Sequence, residues 1–500
     1  MEKSRAGLDP QNLHWRNLDQ QNLDPENWGE LRALGHRMLD DAFDYLEHAR
    51  DRPVWQKMPE ELRAELARPL PRDPESPDRA YEDFRRLVLP YATGNTHPRF
   101  MGWVHGGGTA VGMLAEMLAG ALNANLGGRD HAPIEVERQV IRWAAEMLGL
   151  PRESSGILVT GTSIANLIGL LVARAATLGT ASRRSGIGGA RLIAYASAAS
   201  HSCIPQALDI AGIGSEQLRL IRCDEKGRID LPALEAAIAE DRATGSRPFF
   251  VVGTAGTVDI GAVDDLAGLS SLCRREGLWF HVDGAFGAML ALSEKLRPLV
   301  GGIENADSVA FDFHKWAQVP YDAGCILVRD AVRHRAAFAQ SAAYLRRDSR
   351  GLAGGHPWPC DFGPDLSRGF RALKVWLTIR VFGAERLGAV VETSCALAAR
   401  LAARIAVEPE LELLAPVALN IVCFRYAGTN ADARWDLDAL NTAIVADLQE
   451  AGIAAPSTTI IGDKLAIRAA LVNHRTEEGD ITALIESVLR IGRARSMEAA

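Results

Sequence analysis

Between Gly156 and Val328 the chain alternates short apolar runs with amphipathic ones, and this pattern restricts the fold more than any other feature. Ile157–Thr160, Leu192–Ala196, Leu218–Arg222, Phe249–Gly253, Leu278–Val282, Val309–Phe311 and Cys325–Val328 read as strands. Ser163–Ala175, Leu231–Glu240 and Leu266–Glu276 read as helices between them. The strands are nearly continuous in apolar character, as strands covered on both faces are. Strand–helix–strand alternation predicts an α/β fold with a mainly parallel sheet. In such a sheet, ligands bind at the carboxyl ends of the strands.

The flanking regions read differently. Leu31, Leu34, Met38, Ala42 and Tyr45 recur at helical spacing, which predicts a helix from about Glu26 to Ala49 after the Asp24-Pro25 start signal. Pro59–Ala67 and a segment opened by Ser76-Pro77 add two more helices. Their apolar faces need something to pack on, and a partner subunit is the expected cover. Tyr91–Gly108 is a long loop rich in Gly, His and aromatic residues, a composition more often functional than not. Helices are expected over Ala110–Ala121, Ile134–Leu148 and Phe370–Phe382, with a second irregular stretch over Gln340–Gly363. From about Gly388 to Ala500 the alternation returns, with strands at Asn420–Tyr426 and Lys464–Ala470 and a final amphipathic helix around Ile481–Leu489.

Composition removes several function classes. The formal net charge is −8 with no Lys/Arg block, so neither nucleic acid nor an anionic membrane is an expected partner. The most apolar run, Ile164–Ala173, is too short to span a bilayer, and the polar start lacks the core of a secretory signal. The cysteines number seven, are scattered and form no CxxC pair. That fits reduced thiols in the cytoplasm and argues against a metal site.

Four strand ends carry the chemistry. Thr160-Gly161-Thr162-Ser163 joins a strand to a helix, where amides and the helix dipole suit a phosphate; Ser and Thr are also ordinary N-caps. Ser200-His201-Ser202 follows another strand, and its imidazole could stack on a flat cofactor or move protons, or be merely structural. Phe280-His281-Val282-Asp283 ends a strand in a carboxylate, and Phe313-His314-Lys315-Trp316 follows the next strand with a lysine. A lysine to bond an aldehyde covalently and an acid to hold a pyridine nitrogen protonated are what pyridoxal 5'-phosphate chemistry requires.

These motifs resemble the group II pyridoxal-phosphate-dependent amino-acid decarboxylases, relatives of the aromatic-L-amino-acid and glutamate decarboxylases. The resemblance runs from Asn27 to about Asp480 and rests on Thr96–Phe100, Gly161–Asn166, Ser200–Ser202, His281–Ala285, His314–Trp316 and Leu471–Arg475. It implies fold type I, the aspartate-aminotransferase-like fold: a large domain on a seven-stranded sheet, a smaller C-terminal α/β domain and an N-terminal helical segment. The expected boundaries are 1–105, packing on the partner subunit, 106–383 for the cofactor domain, and 384–500 for the small domain. It also implies roles. Lys315 carries the cofactor, His314 lies beside the phosphate, and Gly161, Thr162 and Ser163 hold that phosphate. Asp283 pairs with the ring nitrogen, Ala285 packs on the ring, His201 stacks on its other face, and Thr257 lines the site. Tyr344 stands at the position of a mobile-loop tyrosine thought to help reprotonate Cα. Trp103, Asn125 and Arg368 are expected at the substrate, Arg368 near its carboxylate. The family implies an obligate homodimer with a shared active site.

The chain also departs from the family pattern. Phe313 replaces a proline, Gly284 an alanine and Val258 a threonine, while His105-Gly106 stands for a Pro-Thr pair. Asn125–Asp130 is polar where aromatic-acid decarboxylases place an apolar clamp. The expected reaction converts an L-amino acid, aromatic by default, to an amine and carbon dioxide. The alternatives are an acidic substrate, decarboxylation coupled to oxidative deamination, against which Tyr344 argues, and a cofactor-binding scaffold without turnover.

Overall fold

The computed structural model describes residues 22–339, 348–429 and 436–498, and these divide into two compact units. The first comprises residues up to 47 and 59–90 and contains helices α1 (Trp28–Glu47), α2 (Glu60–Leu66) and α3 (Pro77–Leu87). Ser76 caps α3 by accepting from the Arg79 amide at 3.2 Å, with Pro77 at the first helical position. Tyr81 donates to Asp41 at 2.6 Å, tying α3 to α1, and Arg86 donates to both carboxylate oxygens of Glu65 at 2.8 and 2.6 Å. Trp28, Leu31, Met38, Phe84 and Val88 remain exposed.

The second unit covers residues 48–58 and everything described from Tyr91 onward. Its elements begin with β1 (Phe100–Met101), α4 (Ala110–Leu122), α5 (Ala132–Leu148), β2 (Ser155–Val159), α6 (Thr162–Leu178), α7 (Ser182–Ser185), β3 (Leu192–Ser197), α8 (Cys203–Ile210) and β4 (Leu218–Ile221). They continue through α9 (Leu231–Ala243), β5 (Arg247–Thr254), α10 (Leu266–Glu276), β6 (Trp279–Asp283), β7 (Ser308–Asp312), β8 (Gly324–Val328) and α11 (Ala331–Phe338). The seven-stranded sheet has the order β2-β8-β7-β6-β5-β3-β4, with β8 antiparallel to both neighbours and the other pairings parallel.

The apolar runs behave as their composition requires. In β6 the side chains alternate: Phe280 and Val282 join the core on one face, and Trp279 joins the core on the other. His281 and Asp283, in phase with Trp279, therefore face α6. Parallel register then aligns the functional ends: Thr254 pairs with Asp283, and Asp283 with Ala310, so Asp312 projects two residues further.

The remaining elements are α12 (Arg371–Val407), β9 (Leu411–Leu413), β10 (Ile421–Tyr426), α13 (Leu437–Glu450), β11 (Ala455–Ile461), β12 (Lys464–Ala470) and α14 (Glu478–Glu498). Helix α12 breaks at Gly383, where φ is 73°, next to the predicted end at Phe382. The second sheet has the order β1-β11-β12-β10-β9. The two residues of β1 pair in parallel with β11, so the 91–108 loop is stitched to the C-terminal region. Sequence reading missed β1, β9 and β11: two are very short, and Ser457-Thr458-Thr459 in β11 carries little apolar signal. No helix among the described residues is long and apolar enough to cross a membrane.

Candidate active site

A cavity of about 410 Å³ opens where the strands end, lined by Gly161, Thr162, Ser163, His201, Asp283, Ala285, His314 and Lys315. Trp103, Val104 and His105 enter from the 91–108 loop, and Thr254, Gly256, Val258, Phe286, Asp312 and Tyr321 complete much of the wall. The parallel sheet accounts for the convergence: β2, β3, β5, β6 and β7 all point their carboxyl ends here.

Lys315 lies three residues past the end of β7, and its Nζ is 2.9 Å from Asp312 Oδ2. Asp312 is buried, and its Oδ1 has no hydrogen-bond partner. The loop closes on the lysine from the other side: a Cβ on Gly106 would stand 2.4 Å from the Lys315 carbonyl oxygen. Only glycine permits that approach. The neighbouring Gly107 amide donates to Gln318 Oε1 at 2.9 Å, and Gln318 in turn donates to the Val472 carbonyl at 2.7 Å. His314 Nδ1 accepts from the Ala323 amide at 3.0 Å, and burial lowers its pKa, so the ring is neutral.

At the start of α6, Gly161 stands at the N-cap and the first amides have no helical acceptor. Thr162 Oγ1 is buried and unpartnered beside them. An unsatisfied hydroxyl at the positive end of a seventeen-residue helix fits a phosphate group. Asp283 is the second point of fit. Its Oδ1 accepts from the Ala285 amide and its Oδ2 from Asn166 Nδ2, both at 3.1 Å. Burial pushes its pKa up, against the opposing pull of Lys315, Asn166 and the Ala285 amide. A protonated pyridine nitrogen is the kind of cation such a buried carboxylate favours. His201 Nδ1 accepts from the Cys203 amide at 3.1 Å, which leaves Nε2 as the ring's donor.

Three expected site residues lie elsewhere. Arg368 is buried against Glu137, donating to its Oε2 at 3.0 Å, and also donates to the carbonyls of Leu126 and Leu158 at 3.0 and 2.7 Å. Both terminal nitrogens are bonded within the frame, Nε is buried without a partner, and the side chain does not line the cavity. Asn125 does not line it either: Asn125 Oδ1 accepts from the Gly127 and Arg368 amides at 2.9 and 3.0 Å, closing a turn. Thr257 is turned inward, its Oγ1 accepting from the Ala262 amide at 2.9 Å, and its neighbours Gly256 and Val258 face the cavity instead. Tyr344 lies outside the described residues. Sequence reading missed Asp312, His105, Tyr321 and Asn166 as site residues. Asp312 had a signal, a carboxylate three residues before the lysine at a strand end; Tyr321 follows the same lysine and Asn166 closes the Gly161–Asn166 motif, while His105 comes from a distant loop.

A doubly wound sheet of this topology, with lysine, aspartate and a Gly-Thr-Ser helix start on one cavity, is the arrangement of a fold type I pyridoxal-phosphate enzyme. Residues 59–427 match the model of the pyridoxal-dependent decarboxylase conserved domain, and the chain belongs to that family. It is 33% identical over 464 residues to an aromatic-L-amino-acid decarboxylase of Bacillus atrophaeus, covering 92% of this chain and 95% of that one. It is 32% identical to human histidine decarboxylase, covering 92% of this chain and 69% of that one. Among solved structures, Oryza sativa TDC with PLP and tryptamine superposes with a TM-score of 0.86 at 26% identity, covering 95% of this chain and 100% of that one. The protein is a pyridoxal-phosphate-dependent amino-acid decarboxylase.

Proposed function

We propose that the substrate is an L-amino acid with an aromatic or heteroaromatic side chain, and that the products are the amine and carbon dioxide. One observation carries the substrate class. Among the described residues lining the cavity, Lys315 is the one lysine or arginine, and the wall beyond it is Trp103, His105, Tyr321 and Phe286. Burial, then the charge of Lys315, lowers the pKa of His105, so that ring is neutral. An acidic side chain would enter without a counter-charge, which is costly in a buried site. A planar ring would meet ring faces and edges instead, since His105 lies 6.0 Å from Trp103 and 5.7 Å from Tyr321 by ring centres.

Bound pyridoxal phosphate supplies the electron sink that accepts the pair left at Cα when carbon dioxide departs. The chain's own groups do the rest. The α6 start, with Thr162 and Ser163, holds the phosphate, and neutral His314 stands nearby. Asp283 keeps a proton on the ring nitrogen. Lys315 would anchor the cofactor covalently, and Asp312 is the partner that its free amine has. His201 would lie against the ring with Nε2–H available to return a proton, a role this reading shares with Tyr344. The amine product is the one that the resemblance, with a tyrosine at 344, implies.

In this reading the enzyme is a cytoplasmic homodimer. All seven cysteines are free thiols, which suits a reducing compartment. The exposed Trp28, Leu31, Met38, Phe84 and Val88, with Met117, Leu118 and Leu122 on α4, supply apolar surface for a subunit interface. Residues 1–105 would pack on the partner, 106–383 would bind the cofactor, and 384–500 would form the small domain. The test is a panel of L-amino acids assayed for carbon dioxide, with the organic product identified. Turnover of aromatic substrates to amines is expected. Preference for glutamate or cysteine sulfinate would overturn the substrate class, and hydrogen peroxide with ammonia would overturn the product.

A further inference from the structure

Behind Asp283 runs a line of buried polar groups that the reaction as derived above does not use. Asn166 on α6 donates from Nδ2 to Asp283 Oδ2 at 3.1 Å and to Cys203 Sγ at 3.2 Å. Its Oδ1 lies 2.8 Å from His281 Nε2. His281 Nδ1 lies 2.7 Å from Ser308 Oγ, and Trp279 donates to the same oxygen at 2.8 Å. Asn166, His281 and Ser308 are each 1% exposed or less, and Trp279 is 7% exposed. The line therefore runs between α6 and the face of β6 and β7 that it covers, and ends at the cavity.

The chemistry of each group orients every proton. A carboxylate oxygen only accepts, so Asn166 must present its NH₂ to Asp283. Its carbonyl oxygen then faces His281, and an amide oxygen only accepts, so His281 Nε2 must carry hydrogen. Burial drives the pKa of His281 down to about 3, so the ring is neutral and Nδ1 accepts. Ser308 supplies that hydrogen, and Ser308 in turn accepts from Trp279, whose indole N–H can only donate. All the hydrogens point towards Asp283. Packing holds the imidazole in place: Phe250 stacks on it with ring centres 5.3 Å apart and planes 23° apart. On the other side, a Cβ at Gly169 would come within 2.8 Å of His281 Cε1, so α6 carries a glycine where the ring passes.

We propose that Trp279, Ser308, His281 and Asn166 form a one-directional hydrogen-bond relay that positions Asp283 and keeps its carboxylate charged for the cofactor's ring nitrogen. His281 has the decisive part. Its Nε2–H prevents the Asn166 amide from flipping, and a flipped amide would set an oxygen against the Asp283 carboxylate. The four are positioning residues, since Asp283 alone faces the cavity. The inference rests on the reading that Asp283 takes the ring nitrogen.

The first test uses the unmutated full-length protein, with ¹⁵N-labelled histidine and two-bond ¹H–¹⁵N correlation between pH 5.5 and 8. His281, assigned by the signal lost in His281→Gln, is expected as the neutral Nε2–H tautomer throughout. An Nδ1–H tautomer, or a ring that titrates in that range, overturns the relay. The second test compares variants by the dissociation constant of pyridoxal phosphate. Glutamine at 281 can place an amide N–H near the former Nε2, whereas asparagine is too short to reach Asn166. His281→Gln is expected within about threefold of the native value, and His281→Asn weaker by roughly tenfold or more, the effect of losing a hydrogen bond to a charged group. Equal losses in the two variants overturn the proposal, because a purely structural histidine would not distinguish them. Asp283→Ala separates the two levels. If Asp283→Ala binds as the native chain does, the role of Asp283 fails and the relay with it; if Asp283→Ala weakens binding and His281→Asn does not, the relay alone fails. The tautomer is measured on the native chain, and the loss of the His281 signal in either His281→Gln or His281→Asn assigns it, so one variant that does not fold leaves the proposal testable.

Discussion

Lys315 Nζ lies 2.9 Å from Asp312 Oδ2, and the two residues share one short turn at the end of β7. The pair explains how a lysine can stand at an apolar strand end: its charge has a buried partner three residues away. It also directs the amine to the cavity side, towards the wall that carries Asp283 and the α6 start.

The first prediction follows from that placement. Of the chain's lysines, Lys315 is expected to be the one that bonds the cofactor. Borohydride reduction of the loaded protein followed by peptide mass spectrometry should place the added mass on Lys315. Lys315→Ala should lose the visible absorbance of the bound cofactor. Finding the mass on another lysine would remove the basis of the site assignment.

The cofactor's phosphate should be sensitive to a single methyl group on the neighbouring strand. A Cβ on Gly324 of β8 would stand 2.4 Å from Gly161 Cα, backbone against side chain with no flexible group to yield. Gly324→Ala is therefore expected to displace the α6 start and cost about 1–3 kcal/mol of stability, the usual range for overpacking. Cofactor affinity should fall with it, by roughly tenfold, a change equivalent to ~1.4 kcal/mol of binding. Equilibrium dialysis and thermal unfolding measure the two effects, and native affinity in this variant would contradict the packing argument.

Arg368 offers a test between structure and substrate binding. Removing it leaves Glu137 buried and unpaired, a change that typically costs about 3–5 kcal/mol, and that loss is expected for Arg368→Met. Glu137→Met with Arg368→Met should recover part of it, since the unpaired charge is gone. KM of the folded fraction should stay near native. A large rise in KM at unchanged stability would return Arg368 to the substrate.

Acid should destabilise the fold through its buried histidines. Burial, then the Arg99 charge, takes the pKa of His97 down to about 4, and burial, then Arg475, takes His474 to about 4. Burial alone takes His281 to about 3, and His334 reaches about 3 although a hydrogen bond to the Phe362 carbonyl opposes the shift. These folded values lie below the unfolded one near 6.5, so the unfolded chain binds more protons between them. Stability is thus fully present above about pH 6.5 and falls as pH drops towards 4, by up to ~1.4 kcal/mol per pH unit per histidine. Urea midpoints at pH 7.5, 6.0 and 5.0 should decrease in that order. A flat series would show that these rings are not held neutral.

Much of this protein is legible in the order of its residues. The strand–helix alternation, the Gly161–Ser163 helix start, Asp283 and Lys315 can be read in turn along the chain, because apolar period and strand-end chemistry are properties of a few consecutive residues. His201 can be placed beside a strand for the same reason. Residues whose role depends on a distant partner cannot. Arg368 looks like a free cation until Glu137, far back in the chain, takes it, and Thr257 looks like a site hydroxyl until Ala262 turns it inward.

The sequence alone therefore determined the fold class, the family and the strand ends where the chemistry collects. The tertiary structure alone decided which side chains face the cavity and which are spent on the frame. It put Trp103, His105 and Tyr321 on one wall, gave Lys315 its partner Asp312, and lined up Trp279, Ser308, His281 and Asn166 behind Asp283. The physical reason is range. Periodicity is written within a turn or a strand, whereas a buried polar group takes its direction from whichever donor or acceptor the fold brings within about 3 Å.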